Sequence, residues 1–446
     1  MLNRLFLLLF ATFATASIYG QSGANSPYSR FGIGDLTDNN FMAARQMGGL
    51  GSSFVDPYQV NIVNPASYSF LKATAFEVGV YGRRSDITEG ENSQRRWSGN
   101  LEYISLAFPL TNPINEVIEG KKKEFYLGMA FTLMPNSDVS YNVFSEETDP
   151  NFGDYTLNYA GSGGSYKVLW GNAINYKDFS LGFNAGYLFG DIRYEQNTFF
   201  DDLPAAFVNN FVTDYRLKGF LYDIGLMYNT ILNRKELETN NGAGIKRLSV
   251  GIHYNSNTSF RTEADVSLIS ILSGASAVDS TNTRLGVEGN GTLPAEIGIG
   301  ATYQHNGKFA IGFDLSRTSW GNYRNDAESL SIATPQVLED TFSASIGGYY
   351  RPSTKSYAKY LQRIFYRYGF FYNTDPRSDN GTTITDLGVN FGIGLPVIYQ
   401  RKISHLNLGI DLGRRGTGTA VEENYLQINF GFTFNDDEWF IKRKYN

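Results

Sequence analysis

His253, His305 and His405 are the only imidazoles of this chain, and it has no cysteine. A zinc or iron site needs several nitrogen or sulfur ligands converging on one point, and these histidines fall on three separate strands or turns. The cysteine count excludes a disulfide, a thiolate-bound metal and a lipid-modified amino-terminal cysteine. Hydrolysis needs a serine activated by a base that a third group orients. Gly161-Ser162-Gly163-Gly164 offers a serine without a strand-to-helix elbow, and a flexible loop is the simpler reading. Asp201-Asp202 and Asp436-Asp437 are paired acids that either touch a cation or stay solvated. No catalytic site, metal site or cofactor motif emerges, so no enzymatic activity is expected.

The elements that would position any such group follow a rhythm of two. Phe309, Ile311, Phe313 and Leu315 alternate with Ala310, Gly312, Asp314 and Ser316. Leu387, Val389, Phe391 and Ile393 repeat the pattern against Asp386, Gly388, Asn390 and Gly392, and Leu406, Leu408, Ile410 and Leu412 against Asn407, Gly409 and Asp411. Successive strand side chains point to opposite faces, so each run is a strand with one greasy face and one small or polar face. In a soluble sandwich the greasy face is the core; in a transmembrane barrel it meets lipid.

Several features favour the membrane. The chain opens with Asn3 and Arg4, an apolar run from Leu5 to Phe10 and the small-residue site Ala14-Thr15-Ala16. This reads as a secretory signal peptide over residues 1–20, cut between 16 and 17 or between 20 and 21. No later apolar run is long enough for a membrane helix, so an integral membrane protein of this sequence has to be a β-barrel. Aromatic residues make up 15% of the chain and glycines number 47, which suits aromatic girdles around a crowded interior. A net charge of -6 leaves no basic footprint for nucleic acid.

Alternation and turn residues place strands near 73–84, 101–109, 125–143, 165–176, 179–194, 215–229, 245–261, 293–304, 309–319, 341–350, 364–372, 384–394, 404–413 and 424–434. The expected fold is all-β: a 14-stranded antiparallel transmembrane β-barrel over residues 73–434, in a Gram-negative outer membrane. Tight turns at Tyr176-Lys177-Asp178 and His305-Asn306-Gly307-Lys308 fall at one end, and the longest connections, near 195–214, 262–292 and 320–340, at the other. Outer-membrane barrels sort their loops this way. Connections near 110–124, 230–244 and 351–363 are longer than that rule expects.

Residues 21–72 precede the first strand, do not alternate, and suit either a luminal hatch or a periplasmic tail. Here the sequence resembles a known family, the FadL-type (long-chain fatty-acid transporter-like) outer-membrane barrels. Asn64-Pro65-Ala66 is similar to the Asn-Pro-Ala element of that family's hatch. The run from Thr292 through Leu293-Pro294-Ala295 to Tyr303, followed by a strand ending in Ser319-Trp320-Gly321, is similar to its Leu-Pro strand start. Tyr368 to Pro376 resembles the family strand that closes with a tyrosine and a proline. The resemblance implies a hatch blocking the lumen, a kinked third strand beside a lateral gap, and uptake of hydrophobic ligands that leave through that gap. Independently, Pro135 removes a ladder donor from the third strand. A break at Pro135 and Asn136 is expected, or an ordinary strand end projecting beyond the membrane.

Phe207 and Phe211 in one outer loop, and Leu268 and Ile271 in another, are candidate ligand contacts, since exposed apolar clusters mark binding surfaces; equally, they cap the barrel. Lys355, Lys359 and Arg363 lie in a connection, 351–367, that carries Arg351 and Arg367 and no acid. With Trp439 and Lys442 of a periplasmic C-terminal tail, 435–446, they are candidates for partner docking. That extended ending departs from the usual FadL-type terminus and looks like a Bacteroidota branch, whose members include subunits of larger machines. Two functions follow. One is uptake of fatty-acid-like small molecules by lateral diffusion, with outer-membrane lipid and a hydrophobic ligand as partners. The other is a non-transporting barrel subunit of an outer-membrane secretion or assembly complex.

Overall fold

The computed structural model describes residues 26–438 except 31, 112–115, 117–119, 121–122, 152, 204–205, 241–243, 273–277, 327–336, 355–358, 380 and 400–401. In the strand Phe309–Thr318, Ile311, Phe313 and Leu315 are exposed while Ala310, Gly312 and Asp314 are buried. A soluble sandwich would bury the apolar set. Here the exposed apolar face is the lipid face and the buried polar face lines the lumen. Among the described residues no helix is long and apolar enough to cross a membrane; strands do the crossing.

The sheet is a closed antiparallel barrel of 14 strands. They are β1 (Thr74–Glu89), β2 (Asn92–Pro109), β3 (Phe125–Asp149), β4 (Gly153–Tyr176), β5 (Phe179–Phe200) and β6 (Phe207–Ile231). Next come β7 in two runs (Lys246–Asn255 and Thr258–Leu272) and β8 in two runs (Val278–Leu293 and Glu296–His305), the second broken at Pro294. The rest are β9 (Phe309–Thr318), β10 (Thr341–Tyr350), β11 (Phe365–Asp379), β12 (Thr382–Tyr399), β13 (Lys402–Arg415) and β14 (Val421–Asp436). β14 closes on β1 from Val421↔Glu89 to Asp436↔Thr74. The tight turns require left-handed backbone at Lys177 (φ 56°) and Asn306 (φ 52°).

Two connections expected to be long outer loops are strand instead. Residues 195–214 belong mostly to β5 and β6, and 262–292 mostly to β7 and β8. β3 to β6 run 25, 24, 22 and 25 residues, against 10 each for β9 and β10. One wall of the barrel is therefore tall. Above the lipid neither face has to be apolar, so alternation fades while the hydrogen-bonded ladder continues.

The described residues of 26–72 form short turns at Pro27–Arg30 and Pro65–Phe70, a one-turn helix Met42–Arg45 and a two-residue strand, Asp35–Leu36. They touch the inner face of every barrel strand. Tyr68 lies against Gly128 of β3 and Gly171 of β4, Pro65 and Ala66 against Gly182 of β5, and Asn64 against Gly225 of β6. Ser52 meets Gly251 and Gly300 of β7 and β8, Leu50 meets Gly312 of β9, and Met47 and Gly48 meet Gly347 and Gly369 of β10 and β11. Gln46 covers Gly392 and Gly409 of β12 and β13, and Met42 covers Gly431 of β14. At most of these positions a Cβ would overlap the segment, so glycine is the residue that lets the two backbones approach. β1 and β2 complete the ring through Glu77, which accepts from Val60 N–H at 2.7 Å, and Tyr103, stacked on Phe41 at 3.8 Å.

Candidate functional site in the lumen and at a lateral opening

Asn64 ties the Asn-Pro-Ala element to the wall. Its Oδ1 accepts from Ala66 N–H at 3.1 Å, capping the turn Pro65–Phe70, and its Nδ2 donates to the carbonyls of Ser52 (2.7 Å), Leu226 (3.2 Å) and Ile252 (3.3 Å). Ser52 Oγ sits 3.0 Å from His253 Nδ1 and donates to Asp314 at 2.8 Å, while His253 Nε2 is 3.1 Å from Glu296. A serine, an imidazole and a carboxylate thus lie in line. Both serine protons, on N and Oγ, go to Asp314, so the arrangement fastens the segment to the barrel. His405 is buried beside Phe365, and His305 lies at the end of β8. Among the described residues no cluster could hold a metal ion.

The ladder between β2 and β3 runs only from Pro109↔Gly128 to Ile104↔Leu133. β2 bulges against β1 beside Glu102, and β3 bulges against β4 between Pro135 and Ser137. Proline brings no N–H to a ladder, and the two strands part at this level. The ladder with β2 ends at Leu133, two residues before Pro135, and at Pro135 and Asn136 the pairing with β4 shows only a bulge. β3 itself continues, paired with β4, to Asp149↔Gly153.

The N-terminal segment lies in this lateral opening. Asp35 and Leu36 pair antiparallel with Asp138 and Ser137 of β3. Thr37 N–H donates to Asn136 O at 3.2 Å, Thr37 Oγ1 to Pro135 O at 2.7 Å, and Ser26 N–H to Ser140 O at 3.1 Å. Ion pairs anchor the far side of this strap. Asp35 meets Arg377 of β11 at 2.7 Å and Arg415 of β13 at 3.1 Å, and both arginines also pair with Asp375. Burial opposes a charge on Asp35, but Arg415 and Arg377 outweigh it and hold the carboxyl below the usual carboxylate range. A second cluster joins Arg45 of the segment to Glu102, to Asp411 at 3.4 Å and to Asp38 at 3.6 Å.

The remaining lumen is charged. A cavity of about 460 Å³ is bordered by Asp38, Arg45, Arg83, Lys167, Asp223, Glu296, Asp314, Arg377, Asp386 and Asp411. A smaller space of about 110 Å³ behind the opening is bordered by Asp35, Arg96, Ser98, Asn100, Glu102, Arg415 and Glu423. An apolar hollow of about 380 Å³ lies on the lipid face between Ile174, Leu181, Leu226 and Ile252.

The other expected site residues are scattered. Phe207, Phe211, Leu268 and Ile271 stand on strands of the tall wall, with Phe211 opposite Leu268 and Val208 opposite Ile271; they form no cup over the lumen cavity. Arg363 stacks on Tyr360 at 5.1 Å and its carbonyl accepts from Arg351 at 3.1 Å, with Lys359 exposed nearby. Arg367, counted with that basic connection, instead points into the lumen and donates to Gln46 at 2.8 Å and Asn407 at 2.7 Å. Lys355, Trp439 and Lys442, with the signal-peptide sites, lie outside the described residues. Sequence reasoning missed Asp35, Arg377 and Arg415, which carry no local motif.

Three solved barrels show the same fold at low identity. A Pseudomonas aeruginosa FadL homologue matches with a TM-score of 0.57 at 12% identity, covering 90% of this chain and 99% of that one. The Pseudomonas putida toluene transporter TodX matches with a TM-score of 0.51 at 17% identity, covering 90% and 100%. The Ralstonia pickettii toluene transporter TbuX matches with a TM-score of 0.50 at 14% identity, covering 90% and 99%. Two of these are named as toluene transporters, and the FadL-type resemblance holds at the level of the fold. No curated protein matches. The family model BamG matches residues 1–446.

Proposed function

Since the chain belongs to the BamG family, we propose that it is a non-transporting barrel subunit of a Gram-negative outer-membrane secretion or assembly complex. The observation that carries this reading is the charge of the lumen. A fatty-acid-like ligand moving toward the opening would pass the ion-paired Asp35, Arg45, Glu102, Arg377 and Arg415 and offer them no hydrogen bond, an unfavourable environment for charged groups. Small-molecule sites for lipophilic ligands are mostly apolar with few polar groups, whereas the cavity here is bordered by many charged side chains. On this reading residues 26–72 are a hatch that fills the barrel, and the subunit offers its walls and ends to other proteins. Lys359, Arg363 and the tail 435–446 are its candidate periplasmic docking residues.

A second reading keeps the role of the named transporters: passive uptake of a hydrophobic small molecule. It is supported by the shared fold, the internal segment and the opening between β2 and β3. Purification of the tagged protein in mild detergent, with proteins and bound lipid identified in the same sample, separates the two. Stoichiometric protein partners and no bound lipid support the subunit reading, with loss of partners on deleting 435–446 locating the contact. A monomer carrying lipid, whose binding weakens when Phe207, Phe211 and Leu268 are replaced by serine, would replace it with transport.

A further inference from the structure

Above Ile104, β2 has an edge. Its residues Asn92 to Leu101 pair with β1 on one side. Toward β3 they have no backbone partner among the described residues, because the β2–β3 ladder has stopped and the strap binds the opposite edge, between Asn136 and Ser140. Asn100 spans the opening with a side chain: its Nδ2 donates to Asp138 at 3.2 Å and its Oδ1 accepts from Leu101 N–H at 2.8 Å.

The depth of this edge matters. Trp97 points outward and is 55% exposed, as an interfacial tryptophan is. At its own level the outward face already turns ionic: Arg84 stands directly opposite Trp97 on β1, Arg95 lies one outward position further up, and both arginines pair with Asp86 at 2.6 Å. Trp97 therefore marks the interface, and the edge runs from there down to Leu101 into the hydrocarbon, where open sheet edges are not tolerated. Higher up, water can satisfy the edge, and there it is a template for strand addition.

We propose that this edge receives an added β-strand from another outer-membrane protein, completing the sheet between the strap and β2. The proposal rests on the subunit reading. It commits to an extended segment with alternating side chains: apolar ones outward beside Trp97, and small polar or acidic ones inward toward Arg96, Ser98 and Asn100, which border the charged space behind the opening. Backbone hydrogen bonds supply the affinity in such an addition and the alternate side chains the selectivity. The strap already joins the facing edge in this manner.

The absence of native cysteine permits a direct test in intact envelopes. A photoreactive benzoylphenylalanine replaces Trp97, with Phe313 on the lipid face of β9 as control. In parallel, Asn100→Cys and Asp138→Cys are joined by a short bifunctional thiol reagent to close the opening, with heat-modifiable migration confirming that the barrel is intact. The expected result is an adduct at position 97, absent at 313, whose peptide maps to an extended segment of another outer-membrane protein and which disappears in the bridged form. Adducts only with lipid or with this chain, equal adducts at both positions, or an adduct that survives bridging would overturn the proposal. If partners still co-purify in those cases, strand addition fails and the subunit reading stands; if none does, both fail.

Discussion

Asp35 and Arg377 are separated by 342 positions in the chain and meet at 2.7 Å inside the barrel. The contact pins the strap to β11 while its backbone is paired with β3. The strap is thus held from two sides, by a ladder at the opening and by charge across the lumen, and each can be removed separately.

Asp35→Ala leaves Arg377 and Arg415 short of a partner in a buried site. Breaking one side of a buried ion cluster costs about 3–5 kcal/mol. Hydrogen exchange over residues 26–37 should accelerate strongly while β9 to β14 keep their protection. Unchanged exchange in the strap would show that the ladder with β3 holds it alone.

Acid should do the same to the native protein. The carboxyl of Asp35 is held below its ordinary value of 3.8, so the stability linked to it is complete above that value and is lost as pH falls through it toward the depressed one. Strap exchange, corrected for the intrinsic rate, should stay constant near neutrality and rise below about pH 4. Asp35→Asn should remove that rise, and a rise that persists would assign it to another group.

Gly182→Val places a side chain where Pro65 and Ala66 lie. Overpacking of this kind costs about 1–3 kcal/mol, and the segment is easier to shift than the closed barrel. Heat-modifiable migration should persist, whereas conductance in planar bilayers should rise. A variant as closed as the parent would mean that the segment does not occlude the bore.

Asn64→Ala removes the cap on Ala66 and leaves buried carbonyls on Ser52, Leu226 and Ile252 without that donor. The expected loss is about 1–3 kcal/mol, read as a lower unfolding temperature in detergent. Asn64→Asp keeps the cap acceptor but loses the donor, so it should recover little.

The barrel was legible where lipid imposes one chemistry on one face. Alternation placed β9 at 309–319, and it spans Phe309–Thr318. Legibility ended with the lipid. The stretch Gly161, Ser162, Gly163 and Gly164 of β4 has no apolar face and read as loop, yet it is paired throughout with β3 and β5. Pro135 pointed to a break in β3, whereas the strand runs on beside β4 and its ladder with β2 ends at Leu133; one sequence does not reveal which of its two neighbours a strand leaves. The Asp35, Arg377 and Arg415 cluster and the Ser52–His253 contact were invisible for another reason. Each depends on tertiary closure between segments with no shared pattern.

The ring of glycines against residues 26–72 also sets an order of events in time. Twelve consecutive strands, β3 to β14, supply the hollows, and the last exists only when β14 zips to β1. The segment precedes all of them in the chain, so it is made before its berth and waits, unseated, until the cylinder shuts around it. Residues such as Phe41, Met42, Leu50 and Phe54, buried in the finished barrel, gain their full cover only when the ring is complete, so closing the cylinder also hides the segment's apolar surface.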